Sequence, residues 1–84
     1  MHQLVLYSRS YCHLCDDMLA ALRTLDCEFK FKVEVIDVDA SEELVALYDE
    51  LVPVLVAKGP RMPDMQLCHY FLDVAKVRAF LGNA

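Results

Sequence analysis

The sequence contains little glycine and proline, and it has no excess of basic residues. Two glycines and three prolines in 84 residues, with 57% hydrophobic residues, argue against a disordered or loop-rich chain and favour a dense core. Eight basic residues stand against thirteen acidic ones, for a formal charge of -5. Because no basic stripe is available to neutralise phosphates, we do not expect nucleic-acid binding.

Long hydrophobic runs are missing as well. No apolar run reaches the length of a membrane span, and the opening residues 1–7 are too short for a signal peptide and lack a cleavage site. We therefore expect a cytoplasmic protein without membrane attachment, where thiols stay reduced unless they take part in chemistry. The length predicts one domain, residues 1–84, and we expect a monomer.

The spacing of apolar residues predicts strands and helices in the order βαβαββα. The predicted strands cover residues 3–7, 29–38, 52–57 and 65–71, with a loop at 58–64 between the last two. The predicted helices run from 12 or 13 to 26, from about 42 to 51, and from 73 to 81. A βαβ start requires a parallel strand pair with a right-handed crossover, and the later ββ pair forms a hairpin. The predicted fold class is α/β, a four-stranded mixed sheet with helices on both faces.

Each predicted helix has one apolar face, and the second strand alternates apolar with charged residues. We expect the apolar positions of both kinds to pack in the core. They are Leu14, Met18, Leu22 and Leu25; Leu44, Leu47, Tyr48 and Leu51; Val74, Val77, Phe80 and Leu81; and, in the strand, Phe29, Phe31, Val33 and Val35.

Two cysteines two residues apart, Cys12 and Cys15, follow the first strand where the helix begins. A thiol at a helix N-terminus lies near unpaired N–H groups and the positive end of the helix dipole, which favour the thiolate. Cys15 lies within one turn of Cys12 and can attack a mixed disulfide formed there. His13 and Arg9 can add positive charge beside Cys12, and Tyr11 on the preceding turn can line a substrate groove.

The cysteine pair also allows two interpretations without redox chemistry. The pair could be half of a zinc site completed by Cys68 and His69, although structural zinc sites rarely take ligands from an apolar strand. The two thiols could also be inert. A Cys-x-x-Cys near a βαβ pattern in a cytosolic chain favours redox chemistry over both, with no bound metal.

The stretch LYSRSYCHLC resembles the opening of glutaredoxins, in which a strand ends in Tyr-Ser-Lys before Cys-Pro-Tyr-Cys. Tyr7 and Ser8 match, Arg9 stands for the lysine, and Cys12 and Cys15 fall in register. The stretch LVPVLV, residues 51–56, is similar to the Val-Pro segment that opens the third strand of thioredoxin-like proteins. The chain most resembles small bacterial glutaredoxin-like proteins with a Cys-His-Leu-Cys motif.

The resemblance implies a thioredoxin fold and a cis bond between Val52 and Pro53, which in relatives lies against the active-site disulfide and contacts the substrate. It implies a dithiol oxidoreductase that transfers electrons through a Cys12–Cys15 disulfide and needs no other cofactor. Its substrates would be protein disulfides or glutathionylated thiols, and its reductant glutathione or a thioredoxin-type donor. A thioredoxin-fold adaptor with an inert or zinc-holding pair is the alternative.

The sequence departs from the glutaredoxin pattern after the fourth strand. Glutaredoxins have a Gly-Gly there that holds the γ-glutamyl end of glutathione, whereas this chain reads CHYFLD over residues 68–73. Bulky side chains where a ligand backbone should approach closely argue against a glutathione site of that kind.

Overall fold

The computed structural model describes residues 2–9, 12–59 and 62–82, in the order predicted. The strands are β1 (His2–Ser8), β2 (Phe31–Asp37), β3 (Val54–Gly59) and β4 (Met62–His69). The helices are α1 (His13–Arg23), α2 (Glu42–Tyr48) and α3 (Val74–Gly82), with 3-10 turns at Thr24–Cys27 and Val38–Ala40.

The four strands form one mixed sheet in the order β2-β1-β3-β4. β1 pairs in parallel with β2 and antiparallel with β3, and β3 pairs antiparallel with β4. The predicted fold class is therefore confirmed. The hairpin differs from the prediction, because β3 continues to Gly59 and β4 begins at Met62, so strand pairing takes up most of the predicted loop.

The core lies on both faces of the sheet. On one face, Leu4 and Leu6 pack with Met18 and Leu22 of α1 and with α3. On the other face, Val5 and Tyr7 pack against α2, where the rings of Tyr7 and Tyr48 stack with centroids 4.6 Å apart. The predicted helices on both faces are thus present.

Four of the positions predicted to be inward are instead exposed: Leu14, Val35, Leu47 and Val74. α2 has no buried residue: Leu44 and Tyr48 of this seven-residue helix pack against the sheet, whereas Leu47 is 63% exposed. In α1, the buried side chains are those of Cys15, Met18 and Leu22, and Leu14 lies outside this buried face. Val35 lies on β2, which is an edge strand and is only partly covered.

Candidate functional site

Three segments of the chain meet at one end of the sheet. Tyr7 near the end of β1 pairs with Val54 at the start of β3, and Val54 pairs with His69 at the end of β4. The start of α1, which follows β1, the segment before β3 and the segment after β4 therefore belong to this end of the sheet. These segments carry the Cys12–Cys15 pair, Val52–Pro53 and residues 70–73.

Cys12 is the N-cap of α1. Its backbone is extended, with φ -103° and ψ 106°, and its Sγ accepts a hydrogen bond from the Cys15 N–H at 3.2 Å. The Cys12 carbonyl accepts the first backbone hydrogen bond of the helix, from the Asp16 N–H at 3.2 Å. The sulfur thus takes the place that a serine or aspartate oxygen takes in most capped helices. A partly exposed sulfur at this place can be reached by another disulfide.

Cys15 is buried, with 4% of its surface exposed, one turn behind Cys12. Burial raises the pKa of the Cys15 thiol to about 12, hydrogen bonding to Cys12 adds to this, and a backbone hydrogen bond from Arg9 opposes it. The two thiols therefore differ in access. A reagent from solvent meets Cys12 first, while Cys15 is held as a protonated neighbour.

Arg9 does not stand free beside Cys12 as the sequence suggested. Its guanidinium hydrogen-bonds Asp39, with Nε–Oδ2 3.2 Å and Nη2–Oδ1 3.0 Å, and its Nη2 lies 2.6 Å from Oδ1 of Asp49. The bonds to Asp49 and Asp39 raise the pKa of Arg9, so its charge is permanent but largely compensated. Neither aspartate was singled out from the sequence, because each lies 30 or more residues along the chain from Arg9.

The structure also describes most of the remaining predicted site residues. His13 is exposed at the first position of α1. The Val52–Pro53 bond is cis, Pro53 is buried, and Val52 is half-buried with its N–H donating to Tyr48 O at 3.1 Å. Tyr11 lies outside the described residues.

Tyr70 connects the segment after β4 to the segment before β3. Its backbone has φ 64°, the left-handed region that residues other than glycine seldom adopt. The Tyr70 N–H donates to Pro53 O at 2.9 Å and its Oη donates to Glu50 O at 2.6 Å. Sequence reasoning missed Tyr70, since no glycine or asparagine marks the left-handed position. The two hydrogen bonds hold residues 50–53 from both ends.

A groove of about 220 Å³ lies between α1 and the segment that follows β4. We call it the Leu14–Phe71 groove. Its lining is Leu14, Asp17, Met18, Ala21, Tyr70, Phe71, Leu72 and Val74. The groove begins at the first turn of α1, where Leu14 stands between the two cysteines in the sequence.

The two remaining cysteines stand outside the Cys-x-x-Cys motif. Cys27 is exposed after α1, and Cys68 is half-buried in β4, where burial raises its pKa. Within residues 2–9, 12–59 and 62–82, no three His, Cys, Asp or Glu side chains cluster as a metal site would require. The alternative zinc set with Cys68 and His69 is therefore not assembled. None of the helices in these ranges has the length and apolar character of a membrane span.

The sheet has the order β2-β1-β3-β4 with helices on both faces, a Cys-x-x-Cys stands at the start of α1, and a cis-proline precedes β3. Together these features define a thioredoxin-fold protein. The chain belongs to the glutaredoxin-like family, because the family model described as "Glutaredoxin-like domain (DUF836)" matches residues 3–82. The resemblance found in the sequence is thus confirmed. A search of curated proteins gave no significant match.

Solved structures share this fold. The chain is similar to protein Ne2328 from Nitrosomonas europaea, with 46% identity, a TM-score of 0.85, and coverage of 95% of this chain and 91% of that one. A structural genomics target protein from X. campestris shows 30% identity and a TM-score of 0.67, with 96% and 97% covered. Chloroplastic thioredoxin z shares the fold at 22% identity, with a TM-score of 0.71 and coverage of 98% and 76%.

Proposed function

We propose that the protein is a thiol–disulfide oxidoreductase whose redox couple is Cys12 and Cys15. The observation that carries the proposal is the pairing of an accessible Cys12 sulfur, held at the N-terminus of α1 by the Cys15 N–H, with a buried Cys15 thiol one turn behind it. Two thiols in this arrangement can act in sequence on one disulfide.

The reaction consists of two thiol–disulfide exchanges. The Cys12 thiolate attacks one sulfur of the substrate disulfide, forms a mixed disulfide, and releases the first substrate thiolate, which takes a proton from solvent. Cys15 then loses its proton and attacks the Cys12 sulfur, which releases the second substrate thiolate. The substrate gains two electrons and two protons, and the protein is left with a Cys12–Cys15 disulfide.

The environment of Cys15 suits the order of these steps. Part of the rise in the Cys15 pKa comes from the Cys12 side chain, through its hydrogen bond and its charge. Once the Cys12 sulfur is in a mixed disulfide it carries no charge and is a poorer acceptor for the Cys15 S–H, so that contribution falls while the effect of burial remains. Cys15 therefore becomes more reactive after Cys12 has reacted.

The substrates in this proposal are disulfide-bearing proteins or glutathionylated thiols, and the reductant is glutathione or a thioredoxin-type donor. We place Val52, Pro53 and Tyr11 beside the substrate, with His13 on the rim of the site. Arg9 has a supporting role, because Asp39 and Asp49 already compensate its charge. The protein would act as a cytoplasmic monomer and would bind no metal, nucleic acid or membrane.

Thiol trapping with mass spectrometry tests the proposal. The protein is equilibrated in glutathione redox buffers without metal, and each cysteine is scored as free, disulfide-bonded or glutathionylated. We expect a reversible Cys12–Cys15 disulfide with a midpoint within roughly -180 to -270 mV, the span of known disulfide reductases and isomerases. In the same buffers, Cys15→Ser should accumulate a mixed disulfide at Cys12, and Cys12→Ser should form neither species.

Reduction of insulin disulfides by the wild-type chain provides the check on turnover. If both thiols remain reduced until strongly oxidising conditions and insulin is not reduced, the oxidoreductase proposal is wrong. The adaptor alternative, in which the thioredoxin fold binds a partner without electron transfer, would then replace it.

A further inference from the structure

Exposed apolar side chains are concentrated in the Leu14–Phe71 groove, which begins at the first turn of α1. Seven large apolar residues are exposed in the described part of the chain, and four of them line the Leu14–Phe71 groove. These four are Leu14, Tyr70, Phe71 and Val74, of which Phe71 is 70% exposed. The other three lie singly on β2, α2 and β4. Single exposed apolar residues are ordinary, whereas a cluster of them commonly marks a binding surface.

The charge at this surface is negative. Asp17 is the charged member of the groove lining among the described residues, and Asp16 is exposed on the same turn of α1. Asp73 and Lys76 line the adjoining cavity between β4 and α3 and offset each other in formal charge. Arg9, which precedes the thiol pair in the sequence, is bound by two aspartates. The whole chain has a formal charge of -5.

We infer that the preferred substrate is a disulfide in a polypeptide segment with an apolar side chain next to the cysteine and basic residues flanking it. This inference rests on the proposed function and names its substrate class. The apolar side chain would enter the Leu14–Phe71 groove, and the flanking cations would face Asp16 and Asp17. Oxidised glutathione has no apolar side chain and a net negative charge, so this surface disfavours it.

The reaction is the same pair of exchanges that the Cys12–Cys15 couple performs on any disulfide. The peptide disulfide is reduced to two peptide thiols while Cys12 and Cys15 are oxidised to their disulfide. Selectivity therefore comes from docking before the first attack, and it should depend on ionic strength because exposed charges are screened by salt.

Single-turnover reduction measures this selectivity directly. The reduced protein is mixed with two symmetric peptide disulfides that share a Leu-Cys-Phe centre and differ only in having lysine or glutamate on both flanks. Oxidised glutathione and the small neutral 2-hydroxyethyl disulfide are run in parallel, and protein oxidation is followed by quenched mass spectrometry. We expect the lysine peptide to react at least about tenfold faster than the glutamate peptide at low salt, with the ratio falling toward one near roughly 0.5 M salt.

Matched variants separate the two parts of the surface. Phe71→Ser should slow the lysine peptide roughly fivefold or more, whereas Val35→Ser, which changes a 49% exposed residue on β2, should not. Asp17→Asn should reduce the preference for lysine over glutamate more than Glu43→Gln does, although both remove one negative charge, because Glu43 lies in the first turn of α2 and not in the groove. Each variant's peptide rates are divided by its own rate with 2-hydroxyethyl disulfide, and Val35→Ser and Glu43→Gln, which lie outside the groove, should reduce that small disulfide at the wild-type rate.

The outcomes distinguish this inference from the proposed function. If the two peptides and oxidised glutathione react at equal rates and Phe71→Ser has no effect, the proposed substrate class is wrong. The observed reduction would still support the oxidoreductase proposal. Faster reduction of glutathione than of the lysine peptide would likewise overturn the substrate class. Failure to reduce any substrate, 2-hydroxyethyl disulfide included, would overturn both.

Discussion

The two faces of the sheet are held by different kinds of interaction. The face toward α1 and α3 has a cluster of ten buried residues, whereas the face toward α2 has five, none of them from α2 itself. The α2 side compensates with aromatic stacking of Tyr7 on Tyr48 and with the bonds from Arg9 to Asp39 and Asp49. One face thus depends on apolar burial, and the other depends in larger part on polar and aromatic contacts near the thiol pair.

Truncating matched leucines on the two faces should give the largest difference. Leu22→Ala removes a fully buried side chain of α1 and should lower the free energy of unfolding by about 2–5 kcal/mol. Leu47→Ala removes a mostly exposed side chain of α2 and should change it by less than about 0.5 kcal/mol. Urea unfolding of both variants measures the difference. Similar losses would mean that Leu47 packs against a neighbouring element and is not largely exposed.

Alkaline pH should weaken the α1 side through Cys15. Its pKa is raised from the ordinary value of 9.0 to about 12, so above pH 9 the unfolded chain loses this proton while the folded chain keeps it. The stabilisation is complete below pH 9 and is lost as the pH rises from 9 toward 12. Burial also raises the pKa of Tyr48 on the α2 side, which acts in the same direction.

The slope of unfolding free energy against pH separates these two groups. Cys15→Ala should flatten the slope between pH 9 and 12 more than Tyr48→Phe does, because the Cys15 shift is the larger one. Denaturant titrations at several pH values give the slopes. An equal slope in wild type and Cys15→Ala would contradict the assignment.

The N-terminal caps of α3 and α2 should differ less than these groups in their contribution to the free energy of unfolding. The Asp73 Oδ1 accepts from the Lys76 N–H at 3.0 Å at the start of α3, and Ser41 Oγ accepts from the Leu44 N–H at 3.5 Å at the start of α2. We expect Asp73→Ala to cost about 1 kcal/mol and Ser41→Ala to cost less, since the longer bond is weaker. Thermal unfolding of the two variants compares the caps, and a larger loss for Ser41→Ala would reverse their order.

The smallest and most salt-dependent effect should come from Arg9. Arg9→Gln removes the links to Asp39 and Asp49, and it should lower the unfolding midpoint at low salt but much less at about 1 M salt, where exposed ion pairs are screened. Lys30→Gln removes the same charge from the segment before β2 and is the control. A loss that persists unchanged at high salt would show that Arg9 acts through packing instead.

The spacing of apolar residues and the turn-forming residues were sufficient to predict the element order, the mixed sheet and the thiol pair at the start of α1. The errors lie where an apolar residue faces solvent. Leu14 in α1 and Val74 at the start of α3 match the helical spacing of apolar residues, yet both line an open groove and are exposed. The spacing of apolar residues shows which side of a helix a residue occupies. It does not show whether another element covers that side.

The residues of the site also divide into those that local sequence could identify and those that it could not. Cys12, Cys15 and the Val52–Pro53 pair could be recognised from local sequence, since each is a short motif with its own chemistry. The partners of Arg9 and the left-handed Tyr70 could not, because Asp39, Asp49, Glu50 and Pro53 reach them only after the strands have paired.

Local sequence therefore determined the elements, the α/β class and the position of Cys12 and Cys15 at the start of α1, because periodicity, capping and cysteine spacing are properties of neighbouring residues. The compensation of Arg9, the burial that raises the Cys15 pKa and the exposed apolar groove were decided by tertiary structure alone. Each of these depends on which distant segments lie within contact distance, and β-sheet pairing across the chain sets those distances.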